Sequence, residues 1–209
     1  MEMSPWRFVP LGLLGVCAIG MTWLIRSYWR RYGRSPVRLF RSGNRVQSAR
    51  EAGVILLGLI FASQALATAL RLDIPLLLGA APFSPRPGLG AVVFVVGVSI
   101  VAAAILNMGD SWQMGFDQNL ERSMHPGLVT TGLYSYSRNP IYLGLAIALT
   151  GWTLLTPSLL SVVILISAAW GVRRQAIEEE AHLMRIYGED FRVWAHGVGR
   201  FAPGLGRLR

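Results

Sequence analysis

Charge is scarce in this chain, and lysine is missing altogether. Only 15% of the 209 residues are charged, and all 20 basic side chains are arginine. The single cysteine, Cys17, excludes an internal disulfide; inside an apolar stretch it reads as a small buried hydrophobe and is silent on redox compartment. Internal repeats, low-complexity tracts and a second soluble domain are all absent, which leaves one unit over residues 1–209. What the chain has in excess is apolar sequence, at 53%. A composition so poor in charge and so rich in hydrocarbon suits a lipid-embedded protein better than a soluble one.

The apolar residues come in blocks. Phe8–Ile25 runs 18 residues without a charge, Ala52–Leu70 runs 19 and Leu89–Leu106 runs 18. Each reaches the roughly 18 residues of a spanning helix. The fourth block, Ile141–Val172, has 32 uncharged residues, with Thr156-Pro157-Ser158 near its middle. Proline breaks or kinks a helix, so this block reads as a hairpin of two segments of about 15 residues, each ~22 Å long and shorter than the ~30 Å hydrocarbon core. The expectation is an all-α polytopic membrane protein with five spans at about 8–25, 52–70, 89–106, 141–155 and 158–172. The last two form a short C-terminal hairpin, and a helical tail follows. The first block is not read as a signal peptide, because its apolar region is too long and Thr22-Trp-Leu-Ile-Arg-Ser offers no small-x-small cleavage site.

The net charge of +9 is unevenly spread. Eight arginines (Arg26, Arg30, Arg31, Arg34, Arg38, Arg41, Arg45 and Arg50) lie between the first two spans, and seven follow the fifth. A basic patch beside two spans fits the positive-inside rule and anionic headgroups, not nucleic acid. Five spans then place the Arg-rich loop, segment 107–140 and the tail 173–203 together in the cytoplasm, with the N-terminus outside. The setting implied is a bacterial-type inner membrane. Trp6, Trp23, Tyr28, Trp29, Trp152 and Trp170, at or near span ends, read as interfacial aromatics. Ala80–Gly88 reads as a turn-rich external loop, and 107–139 as a partly buried loop or interfacial helix carrying Trp112, Met114, Phe116 and Leu120. Apolar periodicity over Arg173–Val193 predicts two short helices joined at Tyr187-Gly188-Glu189.

Two polar constellations flank the hairpin. Leu128-Val-Thr-Thr-Gly-Leu-Tyr-Ser-Tyr-Ser-Arg-Asn-Pro-Ile-Tyr142 runs directly into the fourth span, and Glu178-Glu-Glu-Ala-His182 stands just past the fifth. Polar groups gathered at a membrane boundary are functional candidates. Asn139-Pro140 makes a good helix start, Asn at the cap and Pro at the first position. The same helix start offers free N–H groups and a positive dipole end to a carboxylate, so a simple cap and an anionic-ligand site both stand open. The three glutamates read either as a solvated face, with Arg174 pairing to Glu178 four residues on, or as an acidic site for a ligand bearing an ammonium and a sulfonium. His125 reads as structural, with nothing to form an acid–base or ligand set; His182 and His196 are the only candidates for a base near the tail, neither convincing, and no metal site is expected.

In combination these motifs resemble the isoprenylcysteine carboxyl methyltransferase and phospholipid methyltransferase family of integral membrane enzymes. The resemblance covers about residues 107–203 and rests on Leu128–Tyr134, Arg138-Asn-Pro-Ile-Tyr142, Glu179-Glu180, Leu183, Tyr187-Gly-Glu-Asp-Phe191 and Pro203. It implies an S-adenosyl-L-methionine site built from Pro126, Gly127, Leu128, Val129, Tyr134, Arg138, Asn139, Pro140, Ile141, Tyr142, Glu179 and Glu180. Arg173 and Arg174 are implied as catalytic residues near the acceptor. The chain departs from the family at Asn139, where a His usually precedes the Pro; Asn keeps hydrogen bonding but cannot take a proton. The function implied is methyl transfer at the bilayer to a lipophilic acceptor with a carboxylate, thiol or lipid headgroup. An NADPH-dependent reductase of the sterol type shares the Asn-Pro-x-Tyr and terminal Pro features, but paired glutamates suit a phosphate-bearing cofactor poorly. A non-enzymatic membrane scaffold or transporter is the third class, and spans without charge give a transport pathway little lining.

Overall fold

In the computed structural model, residues 5–40, 45–79, 83–112 and 127–206 are described. The regular structure of these segments is helical: α1 (Val9–Tyr32), α2 (Arg45–Leu70), the single turn α3 (Pro75–Leu78), α4 (Pro87–Met108), α5 (Pro140–Leu155), α6 (Leu159–Tyr187) and α7 (Glu189–Gly197). Four helices are long and apolar enough to cross a membrane, those at Pro5–Tyr32, Arg45–Leu70, Pro87–Ser111 and Leu159–Tyr187; α5 is a shorter apolar helix. Val16, Ile19, Val54, Leu59, Val92 and Ile166 point outward from these helices and are more than half exposed. In water so much outward hydrocarbon would be costly, whereas in lipid it is the expected surface. The protein is a polytopic membrane protein.

The helices outlast their uncharged runs. α1 continues through Arg26, Arg30 and Arg31 to Gly33, whose left-handed backbone closes the helix by donating to Trp29 O. α2 begins at Arg45, seven residues before the apolar run that marks it in the sequence. α4 starts at Pro87, so Pro87 and Gly88 belong to a first helical turn and not to the preceding loop.

The largest correction concerns the hairpin. Its two arms are unequal: α5 has 16 residues and α6 has 29. Ser158 starts α6 sharply, accepting from Ser161 N at 3.0 Å. Nothing then stops it at Arg173-Arg174, because long arginine stems reach polar surroundings without leaving the helix. It ends only at Gly188, where the backbone turns to φ 56°. The join expected at Gly188 is therefore present, but the first of the two short helices is the end of α6.

α4 and α5 form the tightest pair, because glycine brings their backbones together. A β-carbon at Gly97 would lie 2.3 Å from Ala148 N, and one at Gly151 would lie 2.3 Å from Phe94 N. Small residues at such spacing let membrane helices approach closely where no hydrophobic effect drives them together. Around this pair one cluster joins Ala65, Phe94, Ala148, Trp152 and Leu155 with the beginning of α1, and a second joins Tyr28, Ile105 and Trp112 with Met108 and Ile141. The end of α1, the start of α2, the end of α4, the start of α5 and the far part of α6 thus meet at one end of the bundle.

Two aromatics expected at the interface are instead interior. Trp152 is 1% exposed and donates Nε1 to Gln64 Oε1 at 2.8 Å. Gln64 in turn donates to Leu77 O, Ser158 Oγ and Ser161 Oγ, so a satisfied polar knot holds α2, α5 and α6 away from the motif end. Tyr28 is buried and donates to Asp110 O. Trp6, Trp23, Trp29 and Trp170 remain exposed, as interfacial rings should. Cys17 packs, half-buried, against the first cluster. Met114, Phe116, Leu120 and His125 lie outside the described residues.

Candidate functional site

At the motif end the chain first makes a tight turn. Gly132 has φ 62°, and a β-carbon there would meet Asn107 Oδ1 at 2.2 Å. Only glycine fits that contact. Asn107, near the end of α4, accepts from Leu133 N at 2.8 Å and so fixes the 3₁₀ turn Gly132–Ser135. The turn carries Tyr134 into the interior, where it is 8% exposed. Burial, and then the negative charge of Glu179, raise the Tyr134 phenol above its ordinary pKa, so it stays neutral.

Next come Arg138 and Asn139, both buried. The Arg138 guanidinium faces Glu180 in a two-pronged pair, Nε to Oε1 at 3.2 Å and Nη2 to Oε2 at 3.0 Å. Its remaining donors go to Ala195 O, Val198 O and Gly206 O. Arg200 forms a second fork on the same carboxylate, with both contacts at 3.0 Å. Asn139 occupies the N-cap position of α5, yet its side chain makes no cap bond. Nδ2 donates instead to Glu180 Oε1 at 2.9 Å and to Arg200 O at 3.2 Å. The backbone N–H groups of Arg138 and Asn139 go to Gly199 O and Arg200 O. Glu180 thus receives two arginines and an amide, and the tail from Ala195 to Gly206 is sealed over the start of α5.

Glu179 is placed differently. It accepts from the Tyr142 hydroxyl across α5 and α6, and from Gln175 Nε2 at 3.4 Å, a weak contact from one turn earlier. Both bonds fall on Oε1; no described residue donates to Oε2. The carboxylate is half-buried, with neutral donors and no paired arginine among the described residues.

Glu178, the third of the run, is on the outside. The expected partner Arg174 lies over the Trp170 ring, 4.9 Å from its centroid, and Glu178 pairs with Arg50 of α2 at 2.6 and 3.0 Å. The Trp170 ring one turn back attracts the Arg174 guanidinium by its π face, while Arg50 takes the carboxylate. Arg173 is exposed.

A profile described as phospholipid methyltransferase matches residues 86–190, half of the chain, from the start of α4 into α7. The chain belongs to the phospholipid methyltransferase family. The matched region holds the turn at Gly132, the start of α5 and all three glutamates; it excludes α1, α2 and the closing tail with Arg200. A relative within this similarity is protein-S-isoprenylcysteine O-methyltransferase A of Arabidopsis thaliana, 31% identical over 115 residues. The alignment takes in 54% of this chain and 57% of the plant protein, so the chain spans little more than half the length of that relative.

Of the residues expected at a cofactor site, the structure brings Tyr134, Tyr142 and Glu179 to one locus. Arg138, Asn139 and Glu180 form an adjoining clamp whose hydrogen-bonding capacity is taken up internally. Pro140 is buried, Ile141 packs against the Tyr28 cluster, and Gly127, Leu128 and Val129 precede the turn without regular structure. Gly127 has φ 112°, a backbone region open to glycine. Pro126 lies outside the described residues. Gln175 and Arg200 complete the arrangement and were not singled out by the sequence, and Arg50, read there only as one of eight arginines beside the first two spans, joins them. Gln175 carried a signal, four residues before Glu179 on one helix; Arg200 and Arg50 are joined to the motifs only through tertiary structure. An open cavity of about 370 Å³ lined by Thr68, Arg71, Asp73, Pro85 and Pro157 lies at the opposite end of the bundle.

Proposed function

We propose that this protein is an S-adenosyl-L-methionine-dependent methyltransferase acting on a lipophilic acceptor at the bilayer, with Glu179, Tyr142 and Tyr134 at its cofactor site. The observation that carries the reading is the contrast between adjacent carboxylates: Glu180 is filled by two arginines, while Glu179 keeps an oxygen unclaimed by described residues in half-buried surroundings. Such a carboxylate suits a cation, and the cofactor offers an ammonium and a sulfonium. Phosphates would suit it poorly, which disfavours NADPH. When bound, the cofactor supplies a methyl group on a cationic sulfur: the acceptor's lone pair forms the new bond, the S–C pair stays on sulfur, and no redox partner is needed. The protein's task is then alignment and charge management. Tyr142 and Gln175 orient Glu179, Tyr134 contributes a neutral buried wall, and the Arg138–Asn139–Glu180–Arg200 clamp holds the loop beneath them. Gly127, Leu128 and Val129 belong to the same loop, Pro126 remains a cofactor-site residue implied by the resemblance alone, and Arg173 and Arg174 are assigned to the acceptor side.

The plant relative's name speaks of an isoprenylcysteine acceptor; a carboxylate is ionised at neutral pH and needs no general base, which agrees with Asn139 in the place of a titratable residue. The face holding the motifs is assigned to the cytoplasm, where the cofactor is made. Calorimetric titration of detergent-purified protein with S-adenosyl-L-methionine and, in parallel, NADPH tests the reading. Glu179→Gln should weaken S-adenosyl-L-methionine by about 10- to 150-fold, the loss of one charge-assisted bond. Binding of NADPH alone, or unchanged affinity in Glu179→Gln, would remove the basis for it.

A further inference from the structure

We propose that Arg50, at the start of α2 and outside the family-matched region, recognises the anionic headgroup of the acceptor, and that Glu178 holds its place until that headgroup arrives. The Arg50 guanidinium forms a fork on Glu178 and also donates Nη1 to Gln175 Oε1 at 2.9 Å. The same Gln175 donates its amide toward Glu179. One glutamine therefore separates a cation from the carboxylate assigned to the cationic cofactor. Opposite charges at neighbouring positions would bring an anionic acceptor and a cationic donor side by side.

The pair is built to exchange. The side chains of Arg50 and Glu178 are 39% and 45% exposed, and exposed ion pairs of this kind contribute little to stability. A carboxylate or phosphate offers the guanidinium the same planar fork as Glu178 does. Three other arginines are engaged elsewhere: Arg138 and Arg200 on Glu180, Arg174 over Trp170. Depth fits as well. Arg50 stands two residues before the uncharged run of α2, and Val54, one turn on, is 69% exposed. An amphiphile in the bilayer would set its headgroup at Arg50 and its tail along that apolar face. Two sources share this chemistry, a prenylcysteine carboxylate and an anionic phospholipid.

The inference rests on the methyltransferase reading for its purpose, but its measurement does not. Binding of N-acetyl-S-farnesylcysteine and of phosphatidic acid would be measured in uncharged detergent, beside the farnesylcysteine carboxamide and diacylglycerol. For one anionic probe, Arg50→Gln should weaken binding about 10- to 100-fold, Arg50→Lys should fall between, and Glu178→Gln should tighten binding a few-fold by freeing the guanidinium. The uncharged counterparts should not respond. Which anion responds names the source. A merely structural latch would give the same sign for both partners, so weakening in both variants, or no change in either, overturns the inference. Glu178 is exposed, so its variant remains informative even if Arg50→Gln fails to fold. If the two variants show opposite signs but wild type does not bind S-adenosyl-L-methionine, the anion site stands and the methyltransferase reading falls.

Discussion

Three consecutive glutamates on α6 meet three different neighbours, because each residue of a helix is turned about 100° from the last. Glu178 faces α2 and Arg50, Glu179 faces α5 and Tyr142, and Glu180 faces the tail and two arginines. Substituting them should therefore give three distinct phenotypes. Glu180→Gln leaves Arg138, whose side chain is 1% exposed, without its counter-charge. Breaking a buried pair from one side typically costs about 3–5 kcal/mol, so thermal unfolding in detergent should show a fall in Tm on the order of 10 °C. Arg200→Gln should cost less, since that side chain is 22% exposed and Arg138 remains to hold the carboxylate. A Tm for Glu180→Gln equal to that of Glu178→Gln would contradict the clamp. The sequence set Glu178 apart from Glu179 and Glu180 but could not tell the sealed carboxylate from its neighbour. Which glutamate is sealed depends on Arg200, 20 residues away along the chain, and no local pattern records that contact.

At the scale of elements, apolar run length announced the spans and Pro157 announced the hairpin, because both signals are local. The unequal arms were not legible, since charge density marks the edge of lipid while helix continuity depends on breakers: no proline stands between Ser158 and Gly188, and Gly171 alone does not interrupt α6. The α4–α5 contact was hidden for a different reason. Of the 23 glycines, some face open space and others a backbone, and composition does not separate them. Gly97→Ala and Gly151→Ala would each push a methyl into a neighbouring helix at 2.3 Å, an overpacking that typically costs about 1–3 kcal/mol. Gly58→Ala meets nothing within 4 Å and removes a helix-interior glycine, so it should be neutral or slightly stabilising. Unfolding in one detergent would rank the three. If Gly97→Ala and Gly58→Ala unfold at the same temperature, the close helix pair is not the packing that holds the site. The site would feel any separation directly, since α4 ends at the Asn107 contact with Gly132 and α5 begins at Asn139.

At the scale of the whole molecule, the structure gathers on one end everything with candidate chemistry: the Arg-rich end of α1, Arg50, the Gly132 turn, the start of α5, the glutamates and the tail. The sequence arrived at the same grouping from arginine counts and span parity, which are independent of the side-chain contacts that now support it. Grouping by end is a relation within the molecule; the side of the membrane is a further prediction. Arginine bias and cofactor supply both place the motif end in the cytoplasm. A reporter fused after Gly33 or after Gly206 should therefore be active in its cytoplasmic form, and one fused after Pro85 in its external form. Because α1, α2, α4, α5 and α6 alternate in direction, the first two fusions must agree with each other and disagree with the third. A Gly206 fusion that agrees with the Pro85 fusion and disagrees with the Gly33 fusion would mean that one of α4, α5 and α6 does not cross, and the 16-residue α5 is the shortest of the three. The reverse pattern, with the motif end external, would leave the fold intact but separate Glu179 from the cytoplasmic pool of S-adenosyl-L-methionine, and the proposed activity would lose its methyl source.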